Sequence, residues 1–343
     1  MHKPSIPTKL VIAKTFDEFA LELKQYITQN NIEDLLIVSG DSQFNNLSYL
    51  LMNKFKNTVN LDLIRVSELP LLQKKYSWIM GLGGGKVLDR AKYLAFCQEA
   101  NFISVPTLVA HDGICSPVAV IENKSLGAVM PHALFVPLFV INSSPIIHIQ
   151  AGVGDLIANL SAIEDWKLSA EKLNENINDF AIMISKKSAS DIIQKLKINY
   201  LEHDSILEPD FLRSEDFLLS LTESLALSGI AMSIAGNSRP CSGAEHMISH
   251  AIDELFGHGI KAPHGIQVLI AALYLEGFRK NSSVNSVVGS LDQLKQILSF
   301  YKFPLEFKDI NISEQELNKI LEMAPKTRAG RYSILNEAFI KNH

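Results

Sequence analysis

Four of the ten histidines in this 343-residue chain fall between Ser238 and Val268: His246, His250, His258 and His264. Imidazole is the commonest metal ligand and the commonest general acid or base near neutral pH, so a cluster of this density points to a metal or catalytic site. His246 and His250 lie four apart in a run with helical periodicity, and a helix projects such a pair from one face, a turn apart. Pro263-His264-Gly265 reads as a turn opening a further helix. Surface histidines also recur by chance, and this stretch alone leaves both readings open.

Other chemistry-bearing residues sit elsewhere. In GLGGGKVLDRAK (Gly81–Lys92), three consecutive glycines and Lys86 stand between a β-rich run and a helical pattern. Glycine lets the backbone approach a pyrophosphate closely, and free N–H groups at a helix start stabilise its charge. The competing reading is a tight turn that needs positive φ. Asp41 follows the second β-rich run, where an acidic residue accepts hydrogen bonds from adenosine ribose hydroxyls or simply caps a turn. VPTLVAHDGICSP (Val105–Pro117) places Thr107, His111, Asp112 and Ser116 at the carboxyl end of a strand, where ligands bind in parallel sheets; each singly also suits a surface turn. Asp155, in Gly152-Val153-Gly154-Asp155, falls near an expected helix start, as an N-cap or as a carboxylate partner for His246 and His264. One carboxylate and two imidazoles with open positions make a catalytic divalent-metal site, zinc or iron by ligand type.

The elements that must position these residues divide in two. Short β-rich runs at Lys9–Ala13, Asp34–Ser39, Val59–Ile64, Ser77–Gly81 and Phe102–Val105 alternate with helical patterns, the first helix capped by Thr15 with Glu18 in capping-box spacing. From about Ser144 the periodicity becomes helical, over Gly154–Leu173, Asn176–Tyr200, Glu215–Ala235, Gly243–Phe256, Gly265–Gly277, Val284–Tyr301 and Ser313–Met323. The expected architecture is an α/β Rossmann-like domain with a parallel sheet over residues 1–144 and an all-α helical-bundle domain over 145–343, with the site in the cleft between them.

Composition narrows the function. Hydrophobic residues at 47% and charged residues at 20% are those of an ordinary globular protein, and a net charge of −5 with no basic arm argues against nucleic acid. No signal peptide is read at the N-terminus, and no run approaching ~20 apolar residues is expected to span a membrane. Cys97, Cys115 and Cys241 are too few for a disulfide framework, which suits a reducing cytoplasm.

Taken together, GLGGGKVLD, VPTLVAHDGICSP, AGVGDLIA, SRPCSGAEHMISHAID and PHGIQV resemble the iron-containing alcohol dehydrogenase and dehydroquinate synthase superfamily, most closely its sn-glycerol-1-phosphate dehydrogenase branch. The similarity runs from about Asp34 to Gln267. The resemblance implies that Gly83, Gly84, Gly85, Lys86 and Val87 form the pyrophosphate loop, that Asp41 meets the adenosine ribose, and that Thr107 and Ser116 contact the nicotinamide nucleotide. It implies further that Asp155, His246 and His264 ligate a divalent metal, zinc foremost with iron or nickel as alternatives, and that Asp112 and His250 contact substrate in the catalytic site. His258 has no counterpart. Ala110 stands where the branch usually has serine.

The implied activity is NAD- or NADP-linked hydride transfer between dihydroxyacetone phosphate and sn-glycerol 1-phosphate. A homo-oligomer, a dimer by default, is expected, and Arg239 and Lys261, which flank the histidine cluster, are either phosphate contacts or solvated surface charges. A dehydrogenase for an unphosphorylated polyol is the alternative. A dehydroquinate-synthase-like cyclase and a non-catalytic NAD-binding sensor stand further off.

Overall fold

The computed structural model describes residues 3–40, 45–122, 124–202, 210–279 and 283–338. The chain forms two compact units: Pro4–Val109 with Gly113–Pro145, and Ile146–His343 with Met1–Lys3 and Ala110–Asp112. Asp41 lies outside the described residues.

The sheet unit runs β1 (Lys9–Ala13), α1 (Phe16–Gln29), β2 (Asp34–Ser39), α2 (Asn45–Phe55), β3 (Asn60–Arg65), β4 (Trp78–Gly83), α3 (Gly85–Gln98), β5 (Asn101–Pro106), β6 (Val118–Ile121), β7 (Lys124–Gly127), β8 (Ala133–Pro137) and α4 (Leu138–Ile141). Six strands form one parallel sheet in the order β1-β8-β5-β4-β2-β3, and β6 and β7 form a separate antiparallel hairpin. Strands β4, β5 and β8 are near-continuous apolar runs because helices cover both faces of such a sheet. The sequence reading stops at the fifth of these strands. ALFVP is short and does not alternate, so periodicity cannot tell β8 from buried helix or loop, yet it pairs with both β1 and β5. At the start of α1 the Thr15 hydroxyl accepts from the Glu18 N–H at 3.2 Å, while Glu18 takes the Lys14 N–H at 2.8 Å in place of that of Thr15. Half of the expected capping box therefore forms, shifted by one residue.

The helical unit runs α5 (Ile146–Leu173), α6 (Asp179–Glu202), α7 (Glu215–Ala235), α8 (Ala244–Phe256), α9 (His264–Glu276), α10 (Ser283–Val288), α11 (Leu291–Phe300), α12 (Glu314–Thr327) and α13 (Ile334–Ala338). The single helix expected over Val284–Tyr301 is two helices. Gly289 sits at φ +110°, and the Ser290 hydroxyl caps α11 by accepting from the Gln293 N–H at 3.1 Å. Helices α5 and α7 are each long and apolar enough to cross a membrane, but their most apolar windows are 83% and 67% buried within the protein. They are core helices. Helix α5 begins eight residues earlier than its periodicity suggests, so Asp155 lies well inside it and caps nothing.

A close crossing of α5 and α9 sets the site. A Cβ on Gly154 would lie 2.3 Å from the Gly265 carbonyl oxygen, and one on Gly265 would lie 1.9 Å from that of Ala151. Only glycine allows this approach, and each glycine adjoins a candidate ligand, Asp155 or His264.

Candidate active site

Asp155 from α5, His246 from α8 and His264, the first residue of α9, converge so that one ligand atom from each lies within 4.8 Å of the others. Both His246 Nε2 and His264 Nε2 stand 3.9 Å from Asp155 Oδ1. Zinc bonds of ~2.0–2.2 Å place tetrahedral ligand atoms roughly 3.4 Å apart, so a small contraction would bring these three atoms to the spacing an ion needs, with a position left open.

The atoms that would not ligate are already engaged. Asp155 Oδ2 accepts the Asp112 backbone N–H at 2.8 Å. His246 Nδ1 donates to Glu245 Oε1 at 2.9 Å, and Glu245 also accepts from the Ser161 hydroxyl and the Gly243 N–H. Ser249 donates to Gln267 Oε1 at 2.7 Å and so accepts from His264 Nδ1, 2.9 Å away. Both imidazoles are thereby held as tautomers whose Nε2 lone pair faces the common point.

Electrostatics favour a cation there. Burial, then the charge of Asp112, pushes Asp155 well above the ordinary carboxylate range. Burial holds His246 and His264 well below the ordinary imidazole value, the former also through Arg328 and Arg331, so both stay neutral and able to ligate. The buried Asp/His/His triad could hold a metal ion.

His250 lies one turn beyond His246, with its ring centroid 6.5 Å from that of His264. Burial and the adjacent Arg328 push it down to about 3. Arg328 Nη2 is 2.9 Å from His250 Nε2, which must accept, leaving Nδ1 as the ring's donor. Asp112 accepts from the Ser228 hydroxyl at 2.8 Å. His258 stays out of the triad, with Nδ1 2.7 Å from Asp253 Oδ2.

In the sheet unit, β4 ends at Gly83 and α3 begins at Gly85, with Gly84 extended at φ −78° and ψ −178°. Among the described glycines, positive φ occurs only at Gly236, Gly257, Gly259 and Gly289, so the positive-φ turn reading of this loop is excluded. Instead, a Cβ on Gly83 would lie 2.8 Å from that of Val87. Val87 and Leu88 donate to the Gly84 carbonyl, whereas the N–H groups of Gly85 and Lys86 begin the helix and have no carbonyl of the preceding turn to meet. Thr107 is buried and its N–H donates to the Gly83 carbonyl at 3.0 Å. Ser116, also buried, donates to the Val118 carbonyl at 3.3 Å and lies 3.5 Å from Lys92 Nζ. Lys92 is fully buried and also donates to the Gly113 and Val118 carbonyls, which ties this segment to α3.

Both candidate phosphate contacts have partners within the protein. Arg239 is bound to both carboxylate oxygens of Glu175, to the Ser169 hydroxyl and to the Tyr332 carbonyl. Lys261 reaches the Asn311 carbonyl and Glu316, and lies over the Phe256 ring. Sequence reasoning missed Ser249, Gln267, Arg328 and Arg331. Two of them carry a signal, since Ser249 follows His246 by three and Gln267 follows His264 by three, each pair along one helix; Arg328 and Arg331 lie beyond the end of α12 and carry none.

Residues 17–145 match the family described as Iron-containing alcohol dehydrogenase. A glycerol-1-phosphate dehydrogenase [NAD(P)+] of Methanosphaera stadtmanae is 38% identical over 82% of this chain and 76% of its own length. Another, of Hyperthermus butylicus, is 31% identical over 98% of this chain and 95% of its own. The chain belongs to the glycerol-1-phosphate dehydrogenase family. Among solved structures, a probable glycerol dehydrogenase of Sinorhizobium meliloti superposes with a TM-score of 0.72 at 18% identity, over 94% of this chain and 90% of that one. A sulfoacetaldehyde reductase of Bifidobacterium kashiwanohense in complex with NAD+ gives 0.70 at 15% identity, over 99% and 98%.

Proposed function

We propose that the chain interconverts dihydroxyacetone phosphate and sn-glycerol 1-phosphate with NAD or NADP, using zinc at Asp155, His246 and His264. The observation that carries this is the convergence of those residues with every other polar atom of their side chains already engaged. Two imidazoles and a carboxylate with open positions suit a catalytic zinc, with ferrous iron or nickel as alternatives. When bound, the ion supplies Lewis acidity at the reacting oxygen and the dinucleotide supplies or accepts the hydride.

The protein's own groups do the rest. Glu245 and Ser249 fix the two imidazole tautomers, and the Asp112 N–H fixes the rotation of Asp155. Asp112, held by Ser228, orients the substrate hydroxyl next to the reacting carbon. His250 stays neutral through the working pH range and orients substrate as a donor through Nδ1 rather than acting as an acid. Gly83, Gly84, Gly85, Lys86 and Val87 form the pyrophosphate loop, with the N–H groups of Gly85 and Lys86 as its donors. Thr107 and Ser116 line the nicotinamide nucleotide, and Asp41 meets the adenosine ribose and favours NAD. A reducing cytoplasm suits the free Cys97, Cys115 and Cys241.

The test is NADH and NADPH oxidation by zinc-loaded protein on dihydroxyacetone phosphate and on dihydroxyacetone, with the product's enantiomer identified. A preference for the phosphate with sn-glycerol 1-phosphate as product supports the reading. Preference for the free ketone assigns an unphosphorylated polyol instead.

A further inference from the structure

Helix α12 ends at Thr327, and the next two arginines turn back onto the segment that leads into α8. Arg328 Nη1 donates to the Ser242 hydroxyl at 2.7 Å, and its Nη2 meets His250. Arg331 donates to the Ser242 carbonyl at 2.6 Å and to the Ser238 hydroxyl at 3.0 Å. Two further arginines of this unit, whose side chains are almost wholly buried, are paired differently. Arg239 is clamped on Glu175, and Arg279 on Asp165 at 3.0 Å with Glu276 at 3.8 Å. Among the described residues, no carboxylate lies within ion-pair distance of Arg331.

A guanidinium taken largely out of water without a counter-charge is costly, and a neighbouring cation raises that cost. Burial, then Arg328 and Arg239, pushes Arg331 down to about 9; burial lowers Arg328 too. Neither is sealed from solvent, and beside Gly330, between them, a Cβ would meet nothing within 4 Å. The arrangement has the chemistry of an anion subsite: planar donors in fixed forks, an excess of positive charge, and room at its edge.

We propose that Arg328 and Arg331, with His250 and Ser242 beside them, bind the phosphate monoester of the substrate and set its preference over the free polyol. This rests on the triad being the reaction centre. Arg328 touches His250, which is one helical turn from His246, and the phosphorus of dihydroxyacetone phosphate is only three bonds from its carbonyl carbon. A substrate with its carbonyl at the triad therefore needs a phosphate site this near. A dianion would replace the missing counter-charge of Arg331, so specificity and the stability of the cluster come from one contact.

The experiment uses full-length, zinc-loaded wild type, Arg331→Gln, Arg331→Lys and Arg328→Gln, each checked for zinc content and thermal midpoint. Two readouts are taken: binding of inorganic phosphate by calorimetry, and the ratio of kcat/KM for dihydroxyacetone phosphate to that for dihydroxyacetone. Wild type is expected to bind phosphate. Arg331→Gln and Arg328→Gln should weaken that binding and lower the ratio about ten- to hundredfold, chiefly through KM for the phosphate substrate, while zinc content holds. Arg331→Lys should recover part of the loss, which a purely structural role would not require. Phosphate binding that is absent in wild type, or unchanged in both Gln variants, overturns the proposal, as does an equal fall for both substrates. If wild type binds phosphate through these arginines yet turns over neither ketone, the anion site stands and the proposed reaction falls.

Discussion

The candidate metal centre and the glycine loop are both polar sites in apolar surroundings, but they are built from opposite materials. At the triad, side chains do the work, and each is fixed by another: Glu245 holds His246, Ser249 holds His264, and the Asp112 N–H holds Asp155. At residues 83–87 side chains are withheld, and what remains is extended backbone leading into a helix start. A site made of side chains fails when one is removed. A site made of backbone fails when an atom is added. Gly154 and Gly265 belong to the second kind in service of the first, since their absent Cβ atoms let α5 and α9 bring Asp155 and His264 together.

The largest effect should come from removing a triad side chain. Asp155→Ala, His246→Ala or His264→Ala should abolish stoichiometric zinc and lower kcat at least about a thousandfold. Near-normal turnover in a zinc-free variant would end the comparison at its first step. Adding an atom at Gly265 should be almost as damaging. In Gly265→Ala the new Cβ meets the Ala151 carbonyl, so the helices must part; zinc should be lost and stability should fall by about 1–3 kcal/mol or more, read from denaturant midpoints. Smaller is the loss expected for Glu245→Gln. It should weaken zinc roughly 10–100-fold in chelator competition, because the His246 tautomer loses its carboxylate partner. Gly83→Ala should raise KM for the dinucleotide several-fold with zinc content unchanged, since its Cβ would press on Val87. An equal loss of zinc there would show that the two sites are not separable.

A last effect is one of pH. His250 has a folded value of about 3, below its ordinary 6.5, so the unfolded chain binds a proton that the folded chain does not between those two values. Stability is therefore fully present above about pH 6.5 and declines as pH falls toward 3. In zinc-free protein the thermal midpoint should fall over that window, and His250→Asn should flatten the slope.

The same contrast governs what was legible in the sequence. The glycine loop is contiguous, so GLGGGKV announces both its composition and its place after a strand. The triad is spread over more than a hundred residues, and only the resemblance of separate motifs joins Asp155 to His246 and His264. The start of α5 is hidden because Gly152 and Gly154 look unfavourable for a helix, when Gly154 serves a close helix crossing. Strand β8 is hidden by its brevity and lack of alternation. Arg239 stood out because it adjoins the histidines along the chain, but partners are decided in space, where Glu175 claims it. Arg328 lies almost eighty residues beyond His250 and still touches it. No pattern within one segment could have paired them.

The most direct measurement is the zinc content of purified, reconstituted protein, taken beside that of Asp155→Ala, His246→Ala and His264→Ala. One ion per chain in the native protein and none in any variant is the predicted result. An ion retained in full by folded variants, or absent from the native protein after reconstitution, would contradict the assignment of these residues as the metal centre.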